Sequence, residues 1–204
     1  MPHSTLTVGK VEITVLHDAE VALPFSATFP DVPLDAWAPY LERFPEAYSG
    51  SDKMRVHFEC YLVHSQGRTL LVDTGLGNAS SNPNVVAQIG GGVDGLLLSE
   101  LRLAGFQAGD IDTVFLTHLH PDHVGWNVTR PGEIGGDESP TFPNARYVAH
   151  EADWAAFDTP RDSEIFGFDW WAQTVAPLRR LGVLDLITGE TELTGELTVI
   201  PTPG

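Results

Sequence analysis

Apolar and polar positions along the chain follow two periods, one of strands and one of helices. Residues 6–8 and 11–16 alternate on either side of Gly9-Lys10, which predicts a hairpin with a two-residue turn. Residues 18–51 lose that rhythm and gather Pro24, Pro30, Pro33, Pro39 and Pro45 with Phe25, Phe29, Trp37, Tyr40 and Phe44, which predicts a long ordered loop holding one short helix. Residues 56–64 and 69–72 read as a second strand pair across Ser65-Gln66-Gly67-Arg68, ending in the turn signal Asp73-Thr74-Gly75. In residues 94–104, Leu96, Leu97, Leu101 and Leu103 stand at near-helical spacing, and Gly105 stops the helix. Residues 111–117 form a short apolar strand, 146–149 another, 169–181 a helix with Trp170 and Trp171, and 196–200 a last strand. A strand-rich opening followed by alternating strands and helices predicts an α/β domain with a mixed sheet.

Composition narrows the picture. The 204 residues suit one domain, and no apolar run reaches the length of a membrane span. The opening Met1-Pro2-His3-Ser4-Thr5 lacks the charged and apolar regions of a signal peptide, and the single Cys60 allows no internal disulfide, so the cytoplasm is the default compartment. Twenty-eight acidic against 11 basic residues give a formal net charge of -17, a field that repels nucleic acid and anionic membranes. Cys60, inside a predicted strand, reads as a buried inert thiol. His17, His57, His64 and His150 have no motif partner and read as structural or surface residues.

The predicted strand at 111–117 runs into Thr117-His118-Leu119-His120-Pro121-Asp122-His123-Val124-Gly125. In an extended segment, His118 and His120 point to the same side. Pro121 then turns the chain and brings in Asp122 and His123. Imidazole and carboxylate are the ligands of zinc and related divalent metals, and strand ends are where α/β folds place their sites. One such residue is ordinarily structural, but four together identify a metal-binding loop.

This segment resembles the H-x-H-x-D-H signature of the metallo-β-lactamase superfamily, and Asp73-Thr74-Gly75 resembles its earlier strand-end element. The resemblance implies an αββα sandwich of two similar halves. It implies that His118 and His120 bind a first zinc, that Asp122 and His123 bind a second, and that Asp73 supports the loop from behind. Two metals would share a water and lower its pKa, while Asp122 orients the nucleophile and carries the proton to the leaving group.

Within the superfamily, His120 stands where a diiron branch carries an acidic residue, and His123 where true β-lactamases carry Arg. The chain looks most similar to the lactonase and esterase-like group, with glyoxalase II-like thioesterases and phosphotriester hydrolases as alternatives. A small-molecule substrate follows, without nucleic acid or membrane, and a homodimer is compatible. Trp126, Trp37 and Phe29 are the candidate pocket residues, while Trp170 and Trp171 read as core. The family's third metal motif begins Pro-Gly-His, and Thr202-Pro203-Gly204 matches only its start. The expectation is therefore one domain over 1–204, C-terminally incomplete: the N-terminal half with part of the second, binding metal weakly by itself. A non-catalytic, metal-binding interaction module is the alternative.

Overall fold

The computed structural model describes residues 3–79, 86–87, 92–130, 137–158 and 169–203. Eleven strands are assigned among them: β1 (Thr5–Val8), β2 (Val11–Pro24), β3 (Lys53–Ser65), β4 (Arg68–Val72), β5 (Thr113–Phe115), β6 (Val128–Thr129), β7 (Ser139–Pro140), β8 (Arg146–His150), β9 (Leu184–Ile187), β10 (Thr191–Thr194) and β11 (Leu197–Val199). Among the described residues the α-helices include α1 (Phe25–Thr28), α2 (Ala38–Arg43), α3 (Leu97–Leu103), α4 (Glu151–Phe157) and α5 (Ala176–Arg180). Seven strands form one sheet in the order β1-β2-β3-β4-β5-β8-β9, antiparallel through β4 and parallel from there on. This is the mixed α/β architecture expected.

Side-chain alternation decides what each face of the sheet meets. Phe58, Cys60 and Leu62 of β3 point to one side, and Leu62 pairs with Leu71, which pairs with Val114, which pairs with Tyr147. All of these but Phe58, which packs with Leu76 in a smaller cluster, join the main core with Leu97 and Leu101 of α3, Trp154 of α4 and Leu178 of α5. Leu71 and Val114 are wholly buried, and each such side chain stabilises the fold by roughly 1.5–3 kcal/mol through area removed from water. On the opposite face, Val11, Val63 and Leu70 pack against Leu193 and Leu197 of the β10–β11 hairpin.

Three expectations are corrected. The strand β2 does not give way to a loop at Asp18. It continues to Pro24, because a β-bulge between His17 and Ala19 preserves its pairing with β3. The strand before the histidines is shorter than 111–117, so His118 and His120 lie beyond it in irregular backbone. The helix at 169–181 is a π-helical turn, Trp171–Val175, running into α5. Pro177 accounts for the break, since it has no N–H to donate to the Gln173 carbonyl four residues earlier. Arg130 donates to that carbonyl instead, at 2.6 Å.

Candidate metal centre

The site is assembled from the ends of two neighbouring strands. β4 ends at Val72, and Asp73 follows with φ +60, a left-handed conformation that Asp tolerates better than most residues. The carboxylate of Asp73 is thereby aimed along the sheet at the segment after β5. Its Oδ1 accepts from the Thr117 N–H at 2.8 Å, and its Oδ2 accepts from the Thr117 hydroxyl at 2.8 Å. Asp73 Oδ2 also lies 2.8 Å from His123 Nδ1. One buried carboxylate thus holds both ends of the histidine loop.

Backbone hydrogen bonds close the two loops onto one another. Thr74 N donates to His123 O at 2.8 Å, Gly125 N to Gly75 O at 2.8 Å, and Trp126 N to Thr74 O at 3.0 Å. The approach is so close that a Cβ on Gly125 would lie 2.1 Å from the Leu76 carbonyl carbon. Between them, Leu119 and Val124 are wholly buried in the main core and anchor the loop on its inner side.

The four ligand-type side chains meet on the outer side. The His118 ring centroid is 4.7 Å from that of His120 and 3.9 Å from that of His123. Asp122 Oδ2 lies 3.3 Å from His123 Nε2. Burial, followed by the nearby imidazoles of His123 and His120, holds the His118 pKa below its ordinary value, favouring the neutral form that ligates metals. Burial pushes Asp122 up, but its hydrogen bond with His123 and that residue's charge outweigh burial and keep it an anion. Burial pulls His123 down, yet Asp122 and Asp73 together raise it to about 9. Three imidazoles and an anionic carboxylate match the donor chemistry of zinc, with His123, held through Nδ1 by Asp73, having to release its Nε2 proton to serve as a donor.

Beside this loop lies a cleft of about 790 Å³, whose walls include Thr117, His118, His120, Phe115, Phe157, Ile187, Val199 and Ile200. Phe157 meets the His120 ring edge-on at 5.5 Å. His150 lines the cleft while capping α4: its Nδ1 accepts from Ala152 N at 3.1 Å. The three residues proposed from sequence as pocket residues sit elsewhere. Trp126 is buried in the core and donates through Nε1 to Asp18 Oδ1 at 3.2 Å. Trp37 stacks on Phe25 with centroids 4.3 Å apart, and Phe29 tilts against Trp37 at 5.2 Å. Trp170 and Trp171 pack against the main core, as expected, and Trp170 Nε1 donates to the Leu119 carbonyl. Cys60 is wholly buried, which pushes its thiol pKa well up and leaves it unreactive.

Sequence reasoning missed Asp18. The bulge turns it inward, where it accepts from Leu76 N at 2.7 Å and Leu97 N at 2.9 Å as well as from Trp126. Burial raises its pKa, an effect partly offset by those bonds. Asp18 therefore ties the 73–77 loop, the start of α3 and the residue after the histidine loop to β2. Gly75 and Gly95 make room for it, since a Cβ at either would lie within 2.5 Å of a carboxylate oxygen. Those glycines are the trace it leaves in the sequence, but nothing local connects them to position 18.

Residues 59–129 match the family model described as the metallo-beta-lactamase superfamily. Among curated proteins none matches. Among solved structures, a probable metal-dependent hydrolase from Staphylococcus aureus is similar over 95% of this chain and 64% of its own, at 19% identity and TM-score 0.72. The hydrolase AbOPH of the β-lactamase superfamily is similar over 95% and 63%, at 22% identity and TM-score 0.70. AidC, described as a dizinc quorum-quenching lactonase in complex with a product, is similar over 91% and 60%, at 21% identity and TM-score 0.65. The chain spans less than two thirds of the length of each of these three. Residues 59–129 thus match the metallo-beta-lactamase superfamily model, and the chain shares the fold of these solved structures.

Proposed function

We propose that the protein is a metal-dependent hydrolase of lactones or related esters, with His118, His120, Asp122 and His123 as ligands of a zinc centre of two ions. The observation that carries the reading is the placement of His118 and His120 in the wall of a cleft otherwise rich in Phe115, Phe157, Ile187, Val199 and Ile200. Such a wall suits a neutral substrate with an apolar acyl arm, held with its reacting carbonyl toward the histidines. The AidC structure, described as holding a homoserine product, supports a lactone over other esters. Zinc held by His118, His120, Asp122 and His123 would supply a water of lowered pKa and a Lewis acid for the substrate carbonyl.

The chain's own residues do the rest. Asp73 accepts from His123 Nδ1, leaving Nε2 as the ligating nitrogen. Asp122, anionic at neutral pH, orients the attacking water and moves its proton toward the leaving oxygen. Phe157 meets the His120 ring edge-on and so restrains its plane.

The chain spans 64% of the first of these structures, and we propose that ligands beyond these 204 residues complete the centre in the whole protein. Reading the gene past the Gly204 codon tests that part: an in-frame His supports it and a stop codon overturns it. For the reaction, zinc-loaded whole protein is assayed against lactones, aryl esters, thioesters and phosphotriesters. Lactone turnover that chelation and His118→Ala both abolish supports the reading, and a preference for thioesters or phosphotriesters moves the protein to another branch.

A further inference from the structure

A second group of metal-ligand side chains lies outside the histidine loop, on strands β2 and β3. His17, His57 and Glu59 each offer a ligand atom, and these atoms all lie within 4.8 Å of one another. The register explains their meeting. His17 is paired directly with Glu59, and His57 lies two residues from Glu59 on the same strand, so all three project from one face. That face is the one opposite Phe58, Cys60 and Leu62, away from the main core.

The bulge adds a fourth member. Glu20 pairs with His57, so it shares the face of His17 although three residues separate them, a parity that regular alternation forbids. Glu20 Oε2 stands 3.6 Å from His57 Nδ1, and its other oxygen accepts from Arg55 NH1 at 2.7 Å. At that distance Glu20 is a charged neighbour of His57 Nδ1, placed where a small turn of the ring would let it accept a hydrogen bond, as carboxylates do that orient ligating imidazoles. The same bulge that turns Asp18 inward therefore gathers two imidazoles and two carboxylates outside.

We propose that His17, His57 and Glu59 form a second divalent-cation site, selective for zinc or a similar borderline metal, with Glu20 positioning His57. Two imidazoles and one carboxylate select zinc-like ions over calcium or magnesium, which prefer oxygen-only shells. Three protein ligands at hand leave a position for water or a further donor. A cation there clamps β2 to β3 at the bulge and so holds Asp18 in its inward position. The inference does not depend on the reading of the histidine loop, since no residue is shared.

The test is zinc titration by calorimetry of the protein carrying His118→Ala, His120→Ala and His123→Ala, which silences the loop. One equivalent of zinc is expected, lost when His57→Ala is added and weakened about tenfold by Glu20→Gln. Calcium is expected to produce no heat. No zinc binding to the loop-silenced protein, or binding unchanged by His57→Ala, overturns the proposal. Should the loop-silenced protein fail to fold, His57→Ala and Glu59→Gln are made in the otherwise native chain, where both positions are exposed. The bound zinc is then expected to fall by one equivalent relative to the unsubstituted protein, and an unchanged stoichiometry refutes the site.

Discussion

Replacing Asp73 by Asn tests how the loop sets the chemistry of His123. Asn tolerates the positive φ of this position and fills the same volume, so the backbone has no reason to move. The Thr117 N–H requires an acceptor, which keeps the amide oxygen where Asp73 Oδ1 now sits. The amide nitrogen then takes the place of Oδ2, facing the Thr117 hydroxyl and His123 Nδ1. The hydroxyl can rotate to accept, whereas the imidazole must accept at Nδ1 and carry its proton on Nε2. That tautomer presents no lone pair to a metal.

Three consequences follow. A charge-assisted hydrogen bond becomes a neutral one, costing about 1 kcal/mol of stability. His123, raised to about 9 by Asp122 and Asp73 against burial, is expected to fall when one of the two carboxylates is neutralised. Zinc affinity is expected to fall about 10–100-fold. The sign of the pH dependence is fixed by the upward shift. Without metal, the stability contributed by His123 is full below its ordinary 6.5 and is lost as pH rises through about 9. The Asn variant flattens that slope. NMR titration of the histidine rings, denaturant melts across pH and zinc calorimetry read all three. A variant in which His123 still titrates near 9, with zinc affinity within about twofold of the parent, refutes the reasoning.

Gly125→Ala places a methyl 2.1 Å from backbone that cannot yield; a loss of about 1–3 kcal/mol or more in urea unfolding is expected. Asp18→Ala leaves the Leu76, Leu97 and Trp126 donors without their acceptor. At about 1–3 kcal/mol per unsatisfied group it should lower stability by several kcal/mol, visible as a large fall in melting temperature. Leu119→Ala empties a wholly buried position between the two histidines. It should cost about 2–5 kcal/mol and weaken zinc binding as well, read by urea melts and calorimetry on the same samples.

What could be read from the sequence was local. The Gly9-Lys10 turn, the strand pair around Gly67 and the turn at 73–75 are specified by adjacent residues, and the structure places each where the pattern indicated, while the 118–123 loop follows a strand shorter than expected. The bulge at Asp18 was not legible, because it breaks the alternation from which strands are recognised and is stabilised by Leu76, Leu97 and Trp126, far along the chain. Trp126 follows the metal loop closely and so suggested a pocket wall, but its indole N–H is committed to Asp18. The cleft draws residues from β5 to beyond β11, a non-local set that no window of sequence displays. The pairing of His57 with Glu20 and its nearness to His17 likewise depend on register, so His57 read as a solitary surface histidine.

The central claim is that His118, His120, Asp122 and His123 bind a divalent metal. X-ray absorption at the zinc edge, on protein carrying His57→Ala and loaded with one equivalent of zinc, tests it most directly. The account predicts imidazole scattering in the zinc shell that disappears with His118→Ala, His120→Ala and His123→Ala together. A shell of oxygen donors alone, or an imidazole shell that survives those substitutions, would contradict it.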